Sequence, residues 1–144
     1  MALCYPITEK VINLEFYYWV TVKSCGRDQS MNVEGHLRKS EELWHAIDKL
    51  TSEPEEDVVA IVELAFGMCH HLIAYGMERR FGHHIDTHAG VSGLLRENGA
   101  HDIANAFEQI GSLRQGRFYG GKGDGPTVMK ALELVGIIKG WARE

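Results

Sequence analysis

Between Ser112 and Thr127 the chain reads "SLRQGRFYGGKGDGPT", and this stretch concentrates the residues best suited to chemistry on an anion. Arg114 and Arg117 offer planar guanidinium groups, which match phosphate with two parallel hydrogen bonds. Tyr119 follows, then Lys122 among Gly120, Gly121, Gly123 and Gly125. Glycines leave backbone amides uncovered, and a helix restarting at Pro126 offers its positive end. The stretch is not a P-loop, because no strand precedes it and the lysine stands several residues before the helix. The plainer reading is a flexible turn capped by Asp124.

The two arginines also continue an apolar pattern. Ile103, Phe107 and Ile110 are spaced 4 and 3, and the same spacing leads to Arg114 and Arg117. A stripe that packs a core and ends in two cations needs carboxylates, phosphates or open water at that end.

Eight histidines form a second concentration of chemistry. "HHIDTH" places His83, His84, Asp86 and His88 together, and imidazole with carboxylate is a zinc or iron ligand set. His70 or His71 would join them if this loop folds back on the preceding helix. The competing reading has Asp86 or Thr87 capping a short helix while the histidines sit at the surface. Cys4, Cys25 and Cys69 are odd in number and lack a CxxC pairing, which argues against a disulfide framework or a thiolate zinc site. Cys69 is expected to pack as a small hydrophobe. There is no GxSxG, no HExxH and no dinucleotide fingerprint, so no cofactor is called for.

The elements that position these residues are mostly helices. Val33, Leu37, Ser40, Trp44, Ile47 and Leu50 lie at helical spacing. "TSEPEED" stops that helix, and Ser52 with Glu55 matches a capping box for the next. Residues 54–79 are apolar almost all round, as in a helix buried on most sides. "FGHHIDTH" breaks it, a short helix with Val91, Leu94 and Leu95 ends at Gly99, and another helix covers about 101–117. A last helix after Pro126 carries Val128, Leu132, Val135, Ile138 and Trp141. Short loops between long helices predict an all-α, up-and-down four-helix bundle with one short extra helix. Trp44, Phe66, Leu72, Phe107, Ile110, Leu132 and Trp141 are expected to be mostly buried. Residues 12–22, "INLEFYYWVTV", alternate and read as a short β segment, so 1–30 form an N-terminal extension and 31–144 the bundle.

The 144 residues suit one domain, and 44% hydrophobic with 24% charged residues is a globular composition. A net charge of −5 disfavours non-specific nucleic-acid binding while leaving room for a local basic patch. No run reads as long enough to span a membrane and no leader is evident, so the expected location is cytoplasmic.

The order of these features resembles the HEPN family (higher eukaryotes and prokaryotes nucleotide-binding domain) over about 33–142. The resemblance rests on the apolar helix "AFGMCHHLIAYGMERRFG", the "THAGVSGLL" segment in which His88 opens a short helix, the helix ending "LRQGRFYGG", and the closing "VMKALELVGIIKGWA". Arg114 with Tyr119-Gly120 matches the family's Arg motif in its tyrosine form. The resemblance implies a small helical bundle, often a homodimer, that binds nucleotide or RNA phosphate through Arg114, Arg117, Tyr119 and Lys122. It also implies a nucleotidyltransferase partner in a toxin–antitoxin arrangement. Active members are metal-independent ribonucleases using Arg and His. Here no His follows Arg114, which leaves Arg114 with His88 as the catalytic pair only if the chain is a ribonuclease. A non-catalytic phosphate-binding module is therefore the leading expectation. A ribonuclease toxin, a His-cluster metal-binding bundle and a structural dimerisation module are the alternatives.

Overall fold

The computed structural model describes residues 30–50, 55–118 and 125–144, with side chains at 55 and 116–118 excepted. The alternating segment 12–22, the Ser52–Glu55 capping box, Asp124, Tyr119, Lys122 and the Arg117 side chain lie outside the described residues. Five helices follow one another: α1 Val33–Ile47, α2 Glu55–Phe81, α3 Val91–Glu97, α4 His101–Phe118 and α5 Gly125–Arg143. The described part is all-α, with no strand among its residues.

Each helix boundary has a local cause. Asn32 is extended, and its Oδ1 accepts the Gly35 amide at 2.8 Å, capping α1. Helix α2 ends where Gly82 takes a φ of +69°, with the His83 amide donating back to the Met77 carbonyl at 3.3 Å. That closure, open to glycine at little steric cost, turns the chain back over the helix it has just left. Gly99, at φ +79°, closes α3 in the same way. Neither Asp86 nor Thr87 caps α3. Its N-cap is Gly90, which has no side chain to offer, while Asp86 is held by His84.

Helix α2 is the centre. Helices α1, α4 and α5 all pack on it, α4 also packs on α5, and α3 lies on α4. Val58, Val62, Met68, Leu72, Ile73 and Met77 of α2 are fully enclosed with Ile110, Leu134 and Ile138. By length and composition α2 also qualifies as long and apolar enough to cross a membrane, contrary to the expectation that no run does. Most of that stretch is covered by the other helices. His70 and His71 interrupt the apolar letters in the sequence but bring no formal charge. Of the seven residues expected in the core, Leu72, Phe107 and Ile110 are buried. Trp44, Phe66, Leu132 and Trp141 pack against the core with one edge open. Arg96 clasps α3 to α4 with paired bonds to Glu108 at 2.7 and 2.9 Å and one to Asn105 at 3.0 Å.

The crossing of α2 and α5 depends on Gly76. A Cβ there would stand 2.5 Å from Trp141 Cζ3 and 3.2 Å from the Ala142 Cα. Gly136, on the outer side of α5, has nothing within 4 Å of the same construction. The same substitution should therefore act with opposite sign at the two positions. Gly136→Ala should stabilise by about 0.5–1 kcal/mol through helix propensity. Gly76→Ala should lose about 1–2 kcal/mol net, because overpacking outweighs that gain. Urea unfolding midpoints measure both.

Candidate functional site

The apolar helix α2 carries few polar side chains between Val58 and Glu78, and Glu63, His70, His71 and Glu78 among them lie on one side. Glu63 to His70 is seven residues, and so is His71 to Glu78, which makes two neighbouring rows about 100° apart on one side of the helix. Arg114, His88, His36 and His84, brought in from other elements, meet these four residues.

At one end stands Arg114 of α4. Its Nε donates to both carboxylate oxygens of Glu63, at 2.9 and 2.8 Å. Its guanidinium carbon lies 4.9 Å from the centre of the Phe66 ring, within range of a cation–π attraction. Phe66 stacks on Phe107 at 5.2 Å, so the aromatic floor under Arg114 is itself anchored in the core. Ile103, Phe107 and Ile110 point inward as their spacing requires, and Arg114 emerges at the edge of the core with its side chain 42% exposed. The carboxylate it needed comes from its own chain, one helix away.

The loop 82–90 supplies the next members. Ile85 is buried and pins the loop to the bundle. His88 stands edge-on to Phe66, with centroids 5.2 Å apart, and edge-on to His70 at 4.1 Å. Arg114 and His88 thus meet on one ring, Phe66, although they come from different elements. Beyond His70 the rings continue through His71, at 5.6 Å, to His36 of α1, at 5.2 Å. The Nδ1 atoms of His36 and His71 are 3.0 Å apart. At the far end His84 bonds Glu78 through Nδ1 at 3.1 Å and Asp86 through Nε2 at 2.7 Å.

Burial separates these histidines electrically. Burial first, then neighbouring imidazoles, pushes His70 and His71 down to about 4, and His36 is lowered by the same causes. They are neutral at neutral pH. His84, bonded to Glu78 and Asp86 and largely in water, is raised. Cys69 is buried and its thiol is pushed up to about 12, so it packs as an inert hydrophobe.

The loop histidines are not gathered into one ligand set. With Ile85 fixed in the core, His84 is directed to Glu78 and Asp86, His88 to His70 and Phe66, and His83 is exposed. Among the described residues no group of three or more His, Cys, Asp or Glu is placed to hold a metal ion. Glu63, His36 and the floor role of Phe66 escape a reading by apolar periodicity. The seven-residue recurrence of polar letters within α2 could have found Glu63, and nothing local marks His36 or Phe66.

His84 gives the loop a pH dependence. A histidine whose folded value is raised contributes stability fully below its ordinary 6.5, and loses that contribution as pH rises through the raised value. The stability difference between wild type and His84→Gln should therefore be larger at pH 6 than at pH 8, with wild type the more stable at pH 6. Denaturant midpoints at the two values measure it.

No protein-family model, no curated protein and no solved structure was found to match the chain.

Proposed function

We propose that the chain is a HEPN-like, up-and-down helical bundle that binds the phosphate of a nucleotide or RNA at the Arg114 end of α4. The observation that carries this reading is the meeting of Arg114 and His88 on Phe66, with Arg114 oriented by Glu63. A guanidinium fixed in plane by a carboxylate and an aromatic face is preorganised for a bidentate anion, and loses less side-chain freedom on binding. The sequence adds Arg117, Tyr119 and Lys122 directly after it, a local basic run in a chain of net charge −5. A homodimer, or a nucleotidyltransferase subunit, is the partner this reading expects.

A second reading, a metal-independent ribonuclease, is favoured by the same contact. Arg114 would hold the scissile phosphate and His88, exposed beside it, would move the proton.

Glu63 makes the test specific. An anion at Arg114 competes with the Glu63 carboxylate, so the two partners should respond in opposite directions. In titrations of ATP and a short fluorescent RNA at low salt, Arg114→Ala should weaken binding about tenfold, in line with about 1.5 kcal/mol for a charge-assisted bond. Glu63→Gln should strengthen it several-fold. Unchanged binding in both variants, with helical content retained, refutes the phosphate role. Intact RNA after prolonged incubation favours the binding module. Cleavage abolished by His88→Ala favours the ribonuclease.

A further inference from the structure

We propose that the His36–His71 contact is a one-proton latch that holds α1 on α2 and releases α1 when both rings carry a second proton.

The geometry imposes the one-proton state. Two Nδ1 atoms at 3.0 Å make a hydrogen bond only if one ring donates its Nδ1–H and the other accepts on its lone pair. When both are protonated, two donors and two positive charges face each other at that distance, and the bond becomes a repulsion. The surroundings offer no escape for His36. It is only 3% exposed, and its Nε2 is buried without a hydrogen-bond partner. The groups facing the pair divide in sign. Lys39 of α1, and His70, His84 and His88 where protonated, oppose added charge. Glu42 of α1, Glu78 of α2 and Asp86 of the loop favour it.

The consequence falls on α1 because of how that helix is held. It packs on α2, and it reaches α5 through Lys139 over the Trp44 ring at 5.7 Å and Arg143 to Glu41 at 4.0 Å. In its first two turns the buried side chains facing α2 are His36 and Ser40, both polar. Ser40 spends its hydroxyl on the Leu37 carbonyl at 2.7 Å. The entry half of α1 therefore buries an imidazole fully, while its aliphatic side chains Val33 and Leu37 pack on the core only partly buried. The sign follows from linkage. His71 is held at about 4 in the packed state against 6.5 when free. The released state then binds more protons, and α1 loses its hold as pH falls from about 6.5 toward 4. The latch stands on α1 and α2 alone and does not depend on what binds near Arg114.

Hydrogen exchange on the full chain tests it, comparing protection factors of 33–47 with those of 125–143 at pH 7 and pH 5. Protection of α1 should fall on the order of tenfold relative to α5, after allowance for the water that reaches His71. His71→Gln, which donates and accepts without titrating, should shrink that difference while helical content is retained, leaving only what His36 contributes through its own burial. Parallel changes in α1 and α5 in the wild type, or a wild-type pH profile in the variant, would overturn the latch. Should the variant fail to fold, imidazole nitrogen shifts of the wild type decide. Protonation of both rings must coincide with loss of α1 protection, and protonation that leaves α1 protected also overturns it. Zinc added at pH 7 should not alter α1. Protection by zinc in the wild type but not in His71→Gln would make the pair a metal-ligand site and end the proton reading.

Discussion

Helix α2 has almost no side it can give to water between Val58 and Met77, and the rest of the structure answers that condition. A 27-residue helix is about 40 Å long at 1.5 Å per residue, too long for one neighbour to cover. Three helices share the task, with α1, α4 and α5 each taking part of its surface. Their own faces are less uniformly apolar. Helix α4 reaches its limit at Arg114, and α1 carries His36 and Ser40 into the interface. The polar groups of the neighbours are therefore driven toward the few polar groups of α2. Glu63 receives Arg114, His70 receives His88, His71 receives His36, and Glu78 receives His84.

The helices themselves are legible because they follow from period and punctuation. Pro126 in the first turn of α5, Gly82 and Gly99 at positive φ after α2 and α3, and the inward Ile103, Phe107 and Ile110 all do what their types and spacing require. The placement of Cys69 is legible for the same reason: a thiol on an apolar face is buried. The site is legible at Arg114, where an apolar stripe visibly runs into a cation, and at His88, which the folded-back loop sets against His70. The Glu63 partner of Arg114 lies 51 residues away, and nothing local marks which carboxylate will be used. The loop histidines show the same limit more sharply. Their density in sequence invites one shared ligand, yet with Ile85 pinned His84 goes to Glu78 and Asp86 while His88 goes to His70 and Phe66. Contiguity in sequence is a poor guide to convergence outside regular elements, whereas recurrence at seven residues inside α2 is a good one.

The stripe also has an electrical order. Its two acids sit toward the ends, Glu63 against the Arg114 guanidinium and Glu78 against the His84 imidazole. Between them lie His70, His71 and His36, whose rings burial keeps neutral, with His88 in contact with His70. Exposed ion pairs such as these contribute little to stability, about 0–1 kcal/mol. Their effect is on direction: each holds a side chain in one orientation at the rim while the uncharged rings fill the middle. Buried imidazole is costly when its nitrogens lack partners, as at His36 Nε2 and His70 Nδ1. An apolar residue at either position would avoid that cost. The bundle instead keeps polar rings where its central helix is otherwise hydrocarbon, and so couples the fit of α1 and the loop to protons. The packing of the core and the chemistry of the surface are thereby one problem in this fold, because both are settled along the same side of α2.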